Sequence, residues 1–341
     1  MPVTIKDVAR KAGVSPSTVS RVLSKHPAIS RETVARVYRI MDELGYQPNI
    51  MAKSLVSRSA NTIALILPQP AEELFQFHFF HEVIRGIVAN SNLNGFDLLL
   101  VPGWSEESKL NTLSRLIRSR RIDGVILMNS SLFDPLITFL SEQQFPAVII
   151  GRTPDGSTLV SVDNDNVQAA YDATVHLIAG GHQRIGYVSG PPGLTVSYDR
   201  MEGYHKALTE ARLPVRKDWI VEGDFLQETG YRAMSLLMSL PERPTALVVI
   251  DDLVALGVMR GITELGFQVP GDMCVVSFNN IALSELSSPS ISSIDISTYQ
   301  IGYTTSQSLI KLINGESLHQ NRIIIPHRLV ARESSMLLGK Y

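Results

Sequence analysis

Short apolar runs alternate with helical stretches over most of the chain, and this alternation limits the possible folds more than any other sequence feature. In the first half the runs cover residues 62–67, 97–101, 124–128 and 147–150. After its first residue each run is continuously apolar, as expected for a strand that is buried on both faces of a parallel sheet. Helical stretches lie between them at residues 80–91, 105–118 and 135–143. This order predicts an α/β fold with repeated βαβ winding.

A second series of the same kind follows, with strands at 185–189, 246–250 and 274–278 and helices at 199–211, 229–239 and 253–265. A late helix at 298–312 and two short strands at 323–325 and 328–330 come too late to belong to one uninterrupted half. We therefore expect two doubly wound subdomains between which the chain crosses. The expected N-subdomain is about 61–161 and 293–324, and the expected C-subdomain is about 162–292 and 325–341.

The first 60 residues differ from this body in charge. They contain ten basic and four acidic side chains, a charge of +6, whereas the whole chain has a net charge of −2. The remaining residues are therefore acidic, at −8. A small basic module on an acidic body is typical of a protein that binds a polyanion, although a charge asymmetry alone is weak evidence.

Helix start and stop signals follow each other closely in this basic segment. Thr4 and Asp7 form a capping-box pattern, and Gly13 is a stop signal for a helix of about two turns. Ser15 is an N-cap with Pro16 at the first helical position, where the missing N–H costs nothing. Two short helices joined by a tight turn predict a helix-turn-helix motif, and a third helix from Ser30 to Gly45 closes a small core.

The second helix of this motif has an outer face suited to nucleic acid. Val19, Val22 and Leu23 form its apolar stripe, so Ser17, Thr18 and Arg21 point away from the core. Short hydroxyls and one long guanidinium can reach base edges and phosphates in a major groove. Together with the charge asymmetry, this face predicts a DNA-binding module at residues 1–60.

Polar residues follow several of the predicted strands of the body. Ligands of doubly wound folds bind beyond the carboxyl ends of the strands, so these residues are candidates for a binding site. We expect the polar candidates to face one cleft; they are Asn129, Ser130, Asp251, Asp252, Asn279 and Asn280. Arg200 adds a forked donor, and Phe79, Phe80 and Phe225 add flat apolar surfaces. Carboxylates, amides, one Arg and aromatic rings suit a sugar, because each hydroxyl both donates and accepts.

Enzyme and metal sites find little support in the sequence. No phosphate-binding loop and no dinucleotide fingerprint occurs. His78, His81 and Glu82 do not follow either zinc-protease order, so we expect neither a metal nor a cofactor. A sugar-modifying enzyme could use Asp251 or Asp252 as an acid or a base, because fold alone does not fix function. That alternative leaves the basic residues 1–60 unexplained.

The compartment is also constrained. The single cysteine, Cys274, excludes an internal disulfide. The start of the chain has charged residues where a secretory signal would be apolar, and no apolar stretch approaches the roughly 18 residues of a membrane span. We expect a cytoplasmic protein with no membrane partner.

Several motifs resemble one family. Val3–Ala9 (VTIKDVA), Ala12–Ser15 (AGVS), Thr18–Leu23 (TVSRVL) and Leu44–Asn49 (LGYQPN) are similar to the LacI/GalR family of bacterial transcription repressors. In the body, Arg121–Gly124 (RIDG) and Ser288-Pro289 are similar to the same family's effector domain. The motif around Asp163 and the motif around Asn279 are most similar to the maltose-operon repressors within the family.

The resemblance implies a helix-turn-helix headpiece at 1–60, with a hinge helix at 48–58, and a periplasmic-binding-protein-like (type I) effector domain at 61–341. The implied DNA-binding residues are Thr4, Ser15, Pro16, Ser17, Thr18, Ser20, Arg21, Asn49, Ala52, Lys53 and Leu55, with Leu55 as a minor-groove wedge. The implied effector-binding residues are Phe79, Phe80, Asn129, Ser130, Arg200, Phe225, Asp251 and Asn279.

Two departures from the family pattern concern the cleft. Asn279 stands where the family usually has Asp, and Gly151-Arg152 replaces the acidic residue often found after the fourth strand. Leu194 and Val196 offer no polar contact to a purine base, which argues against a nucleobase effector. The resemblance implies a homodimeric repressor, associated with the nucleoid, that binds a pseudo-palindromic operator and is released from it by a sugar.

Overall fold

The structure is a computed structural model that describes residues 3–23, 26–46, 59–68, 77–102, 105–128, 130–131, 133–153 and 156–336. The chain divides into two compact units, Met1–Ala60 and Asn61–Tyr341. The expected hinge helix at 48–58, with Asn49, Ala52, Lys53 and Leu55, lies outside the described residues, and so does Asn129.

The described residues of the first unit form three helices, and both turn glycines end helices as predicted. The helices are α1 (Ile5–Ala12), α2 (Pro16–Leu23) and α3 (Arg31–Leu44). Gly13 and Gly45 follow α1 and α3 with φ of 67° and 62°, a left-handed conformation that suits glycine. The helices enclose a core of eight buried apolar side chains: Val8, Ala9, Ala12, Val19, Val22, Val37, Ile40 and Met41.

The described residues of the second unit form two six-stranded sheets, and the first sheet contains the strand that begins the unit. Its strands are β1 (Thr62–Ile66), β2 (Asp97–Val101), β3 (Gly124–Leu127), β4 (Ala147–Ile150), β5 (Val160–Asp163) and the late β11 (Arg322–Ile324). They are parallel, in the order β11-β5-β4-β3-β1-β2. The helices are α4 (His78–Leu93), α5 (Glu106–Arg118), α6 (Pro135–Glu142) and the late α12 (Thr298–Ile313).

The second sheet follows the same winding. Its strands are β6 (Ile185–Ser189), β7 (Ile220–Glu222), β8 (Ala246–Val249), β9 (Cys274–Phe278), β10 (Ser292–Asp295) and β12 (Arg328–Val330). The order is β12-β10-β9-β8-β6-β7, and only the short pairing of β12 with β10 is antiparallel among these ladders. Its helices are α7 (Asn166–Ala179), α8 (Thr195–Glu210), α9 (Gln227–Met238), α10 (Asp252–Glu264) and α11 (Ala282–Leu286).

The chain passes between the two sheets three times, after β5, after β10 and after β11. Asn164 lies on the first crossing, and its Nδ2 donates to Ile296 O at 3.0 Å and to Ile325 O at 2.8 Å on the other two. The approximate boundaries expected from the sequence, 161/162 and 292/293, fall inside strands β5 and β10. We place them after Asp163 and after Asp295.

Several elements lack the apolar continuity that marks the other strands and helices. β5 and β10 contain the buried polar residues Ser161, Ser292 and Ser293, and β7 has only three residues. Each buried serine hydroxyl has a hydrogen-bond partner; Ser293 Oγ, for example, donates to Asp252 Oδ1 at 2.7 Å. Polar groups that are paired in this way can be buried at low cost, which explains why an apolar-run criterion does not detect these strands.

Helices α4 and α12 pack closely through glycine. A Cβ atom at Gly302 would overlap the backbone oxygen of Val83, and one at Gly86 would overlap that of Tyr299.

No helix in the described ranges is long and apolar enough to cross a membrane.

Candidate functional site

The first candidate site is the outer face of α2. Val19 and Val22 are buried, whereas Ser17 and Arg21 are exposed on the opposite side of the helix. Among the other predicted DNA-binding residues, Thr4, Ser15 and Pro16 are exposed, and Thr18 and Ser20 are half-buried. The helix thus presents hydroxyls and a guanidinium to solvent from a small, rigid core.

Hydrogen bonds fix the start of this helix. Ser15 Oγ accepts from Thr18 N at 3.1 Å and lies 2.7 Å from Ser17 Oγ and 2.9 Å from Thr18 Oγ1. The predicted N-cap is therefore present, and it orders the hydroxyl groups that would face DNA. At the start of α1, Asp7 Oδ2 accepts from Thr4 Oγ1 at 2.6 Å and from Thr4 N at 3.0 Å. These bonds lower the pKa of Asp7, because they stabilise its charged form.

The second candidate site is a cavity of about 390 Å³ in the body, at the carboxyl ends of strands from both sheets. Seven of the predicted effector-binding residues line it; they are Phe79, Phe80, Ser130, Arg200, Phe225, Asp251 and Asn279. The structure brings them together from six different parts of the chain, as expected for a site beyond the strand ends. Their role in binding stays a prediction.

Arg200 forms the buried polar centre of the cavity. Its Nε donates to Asn166 Oδ1 at 3.0 Å, and its Nη1 donates to Ile250 O at 2.6 Å. The guanidinium stacks on the ring of Phe278, with Cζ 4.0 Å from the ring centroid. These contacts hold the guanidinium plane in one orientation, so the group is ordered before a ligand arrives.

Asp251 and Asn279 form a second polar pair. Asp251 is the N-cap of α10, where its Oδ1 accepts from Leu253 N at 2.6 Å, and its Oδ2 accepts from Asn279 Nδ2 at 2.5 Å. Burial disfavours the charged carboxylate and raises the pKa of Asp251 to about 6. Asn279 has a φ of 96°, a conformation that asparagine tolerates better than most residues.

Aromatic rings form the apolar walls. Phe79 and Phe80 pack edge to face with ring centroids 5.2 Å apart, and Phe77 packs in the same way against Phe225 at 6.4 Å. Phe77 precedes α4 beside the first sheet, and Phe225 follows β7 of the second sheet. The two subdomains therefore meet through aromatic contact at this side of the cavity.

Five polar cavity residues were not predicted from the sequence: Asp163, Asn164, Asn166, Thr195 and Asp224. Asp163 Oδ1 accepts from Asn164 N at 2.8 Å and from Asn166 Nδ2 at 2.9 Å. Burial raises the pKa of Asp163 to about 7. The rule that selects polar residues at strand ends would have found three of these residues if β5 had been recognised as a strand. Asp224 follows the short strand β7, which was also missed.

Two expectations about the cleft are wrong. Asp252 does not line the cavity, because its carboxylate accepts from Ser293 Oγ at 2.7 Å, from Ile281 N at 2.8 Å and from Ser277 Oγ. Burial raises the pKa of Asp252 to about 7. Asn280 is directed away as well, and its Oδ1 accepts from Arg332 Nη2 at 2.8 Å. Asp252 and Asn280 therefore hold neighbouring parts of the fold together and do not face the ligand, although each is next in sequence to a residue that lines the cavity.

The arrangement suits a neutral ligand with many hydroxyl groups. Carboxylates accept, Arg200 donates, amides do both, and aromatic rings cover apolar faces. No group of three or more histidine, cysteine or carboxylate side chains that could hold a metal occurs within the described ranges.

Comparisons with known proteins agree with this architecture. Residues 4–49 match the family model for bacterial regulatory proteins of the lacI family, and residues 174–335 match the model for a periplasmic binding protein-like domain. The transcriptional regulator MalR of Streptococcus pneumoniae is 35% identical over 339 residues, which cover 97% of this chain and all of that protein.

Two solved structures are similar over nearly the whole chain. A complex of the transcriptional regulator CelR with cellobiose has a TM-score of 0.75 and 31% identity, over 97% of this chain and 99% of that one. The lac repressor dimer bound to operator and to an anti-inducer has a TM-score of 0.86 and 26% identity, over 99% and 100%. The fold predicted from the sequence, a helix-turn-helix headpiece with a periplasmic-binding-protein-like body, is confirmed.

Proposed function

The chain belongs to the LacI family of bacterial regulatory proteins, and on this premise we propose that it represses a carbohydrate-utilisation operon until a sugar binds its cavity. Like its relatives, it is a DNA-binding regulator of transcription and not an enzyme. The alternative of a sugar-modifying enzyme has no support among them. As a bacterial DNA-binding regulator it works in the cytoplasm, and we place it at the nucleoid.

One observation carries the choice of a sugar: the cavity combines ordered hydrogen-bonding groups with aromatic walls. Arg200 is balanced by carboxylates nearby, including Asp163 and Asp251, so the cavity has no excess positive charge for an anionic ligand. Leu194 and Val196 line the cavity and offer no polar side-chain atom to a nucleobase. A neutral sugar matches both the paired charges and the stacking surfaces.

The relatives support a glucose-based disaccharide as the first ligand to test. The CelR structure is a complex with cellobiose, and it is similar to this chain over 97% of its length. The motifs around Asp163 and Asn279 are similar to those of maltose-operon repressors. We therefore propose a maltose-like sugar, bound by Arg200, Asp251 and Asn279, with Ser130 after strand β3 and its sequence neighbour Asn129 as further contacts. Phe79, Phe80 and Phe225 stack on the sugar rings.

The DNA-binding half of the proposal rests on α2. A homodimer would place one such helix in each half of a pseudo-palindromic operator, as the dimeric assembly of the lac repressor on its operator suggests. The residues that would contact DNA bases are Ser17, Thr18 and Arg21. The residues that would contact the sugar-phosphate backbone of the DNA are Thr4, Ser15, Pro16 and Ser20. Residues 48–58, with Asn49, Ala52, Lys53 and Leu55, would fold into a hinge helix on DNA and place Leu55 in the minor groove.

Isothermal titration with a panel of mono- and disaccharides tests the sugar site. We expect one saturable ligand, a maltose-like disaccharide, whose binding is lost in Arg200→Ala and weakened in Phe225→Ala. Arg200 also makes internal hydrogen bonds, so Arg200→Lys, which keeps the charge without the fork, provides a milder change. Thermal unfolding of each variant must show that the fold is retained.

A folded Arg200→Ala variant that binds the sugar as tightly as the unaltered protein would move the site elsewhere. Failure of every sugar to bind the unaltered protein would reject the ligand class.

A further inference from the structure

An ion pair connects the two subdomains at the rim of the cavity. Arg152 follows β4 of the first sheet, and Asp199 lies on α8, which packs on the second. Arg152 Nη2 lies 2.9 Å from Asp199 Oδ1, and Arg152 Nε lies 3.1 Å from Asp199 Oδ2. Two parallel N–H···O bonds between a guanidinium and a carboxylate form the strongest common ion-pair geometry.

The Arg152–Asp199 pair is less exposed to water than an ion pair on the surface. The Asp199 side chain is 5% exposed and the Arg152 side chain 24%, whereas the Arg260–Glu264 pair on α10 is 63% and 45% exposed. An exposed pair contributes little to stability, because water and salt compete for both charges. A forked and largely buried pair is much harder to replace by water, and breaking it leaves a buried carboxylate without its partner.

Backbone contacts between the subdomains lie beside this ion pair. Ser130 O, after β3, accepts from Thr195 N at 3.1 Å and from Thr195 Oγ1 at 3.2 Å at the start of α8. Ser131 and Leu194 form an isolated antiparallel bridge at the same point. The start of α8 is therefore attached to the first sheet at two places. One is the set of uncharged contacts at Ser130 and Ser131, and the other is the Arg152–Asp199 ion pair.

The position of the pair relates it to the sugar-binding groups. Gly151 and Arg200, which adjoin Arg152 and Asp199 in sequence, line the cavity. Arg152 and Asp199 themselves line an open groove on the other side, with a volume of about 520 Å³. That groove also contains Asp165, Glu202 and Arg322, and these mixed charges favour no single class of ligand. The pair thus lies at the rim between groove and cavity, and neither Arg152 nor Asp199 lines the ligand cavity itself.

We propose that Arg152 and Asp199 form a latch that holds the two subdomains closed around the cavity and thereby sets the affinity for the sugar. They are positioning residues, because they act through α8 and the Arg200 that it carries. A ligand binds more weakly when only a fraction of the protein has the binding-competent arrangement. The latch raises that fraction before the ligand arrives. This inference rests on the proposed function as far as the ligand is concerned.

A double-mutant cycle on sugar affinity tests the latch. We expect Arg152→Ala and Asp199→Asn each to weaken binding of the identified disaccharide about 5-fold to 50-fold, a range typical of coupling between sites. The double variant should be no weaker than either single one, because both changes break the same interaction. Arg152→Lys keeps one charged hydrogen bond and should recover part of the loss. Arg260→Ala is the matched control, since it removes an arginine from an ion pair within one subdomain.

A second measurement does not depend on the sugar. Spin labels at Gln143→Cys and Lys217→Cys place one probe on an exposed position of each subdomain. Cys274 is fully buried and can stay. Dimers that contain one labelled and one unlabelled chain give a single distance between the probes. In the absence of sugar we expect Arg152→Ala to lengthen or broaden this distance, whereas Arg260→Ala leaves it unchanged.

The two measurements separate the latch from the proposed function. The latch is wrong if Arg152→Ala behaves like Arg260→Ala in both, or if the two single losses of affinity add in the double variant. If no sugar binds the unaltered protein, the proposed function fails, and the distance between the labels alone decides the latch.

Discussion

At the scale of single residues, Arg21 is the most specific prediction in the headpiece. Arginine can form two hydrogen bonds with guanine in the major groove, and α2 exposes this side chain beside Ser17. We expect Arg21→Ala to weaken operator binding by about 1–3 kcal/mol and to lower the ratio of operator to random-DNA affinity. Arg39→Ala removes the same charge from α3 and should weaken both affinities in proportion. Competition binding at fixed salt measures both, and an unchanged ratio in Arg21→Ala would contradict the base contact.

We expect Asp251 to make the sugar affinity depend on pH. Its pKa is raised to about 6, so the carboxylate is ionised above that pH and protonated below it. Only the ionised form offers both oxygens as acceptors to sugar hydroxyls, so we expect the affinity to fall several-fold as the pH drops from about 7.5 to 5. Asp163 also lines the cavity, with a pKa of about 7. Titrations of Asp251→Asn and Asp163→Asn assign the effect, which Asp251→Asn should flatten.

The same raised pKa has the opposite effect on folding. The folded protein binds the Asp251 proton more tightly than the unfolded chain does, for which the pKa is 3.8. Asp251 therefore contributes stability below pH 3.8 and loses that contribution as the pH rises through about 6.

The outcome that would contradict the predicted pH dependence of binding is a sugar affinity that stays constant between pH 5 and 8. It would show that Asp251 does not accept a hydrogen bond from the ligand.

At the scale of elements, the close contact of α4 with α12 depends on glycine. A Cβ at Gly302 would overlap the backbone oxygen of Val83, and backbone cannot move aside as a flexible side chain can. We expect Gly302→Ala to destabilise the body by about 1–3 kcal/mol, measured by urea unfolding. Gly271→Ala is the control, because its nearest neighbours lie at 3.5 Å, an ordinary contact. Equal stability of the two variants would mean that the helices separate at little cost.

The elements also show why the sequence predicted most of the fold and only part of the site. Continuous apolar runs marked β1 and β8, and the polar residues after the predicted strands led to Ser130, Asp251 and Asn279. Strand β5 was not predicted, because Ser161 and Asp163 interrupt its apolar character, although both are buried. For the same reason Asp163 and Asn166 were not predicted as site residues. Whether a polar residue on a strand is paired depends on partners distant in sequence, such as Asn321 O for Ser161. A local pattern cannot contain that information.

At the scale of the whole molecule, sugar and operator must affect each other equally. A ligand that weakens operator binding by a given factor has its own affinity lowered by the same factor when the operator is bound. We expect the sugar to weaken operator binding about 5-fold to 150-fold, the usual range for coupled sites. Operator titrations with and without sugar, and sugar titrations with and without operator, give the two factors. Tighter operator binding would make the sugar a corepressor, and no change would remove the coupling.

The pairing of β11 with β5 has a consequence for how the protein is made on the ribosome. The first sheet begins at Thr62, but its edge strand Arg322–Ile324 is translated long after the strand β5 with which it pairs. Helix α12, which packs on that sheet, is also late. At about 5–20 residues per second, the nascent first sheet waits on the order of tens of seconds for these parts. During that interval β5 lacks the partner β11, so we expect a nascent chain to be more prone than the finished protein to pair this edge with another chain.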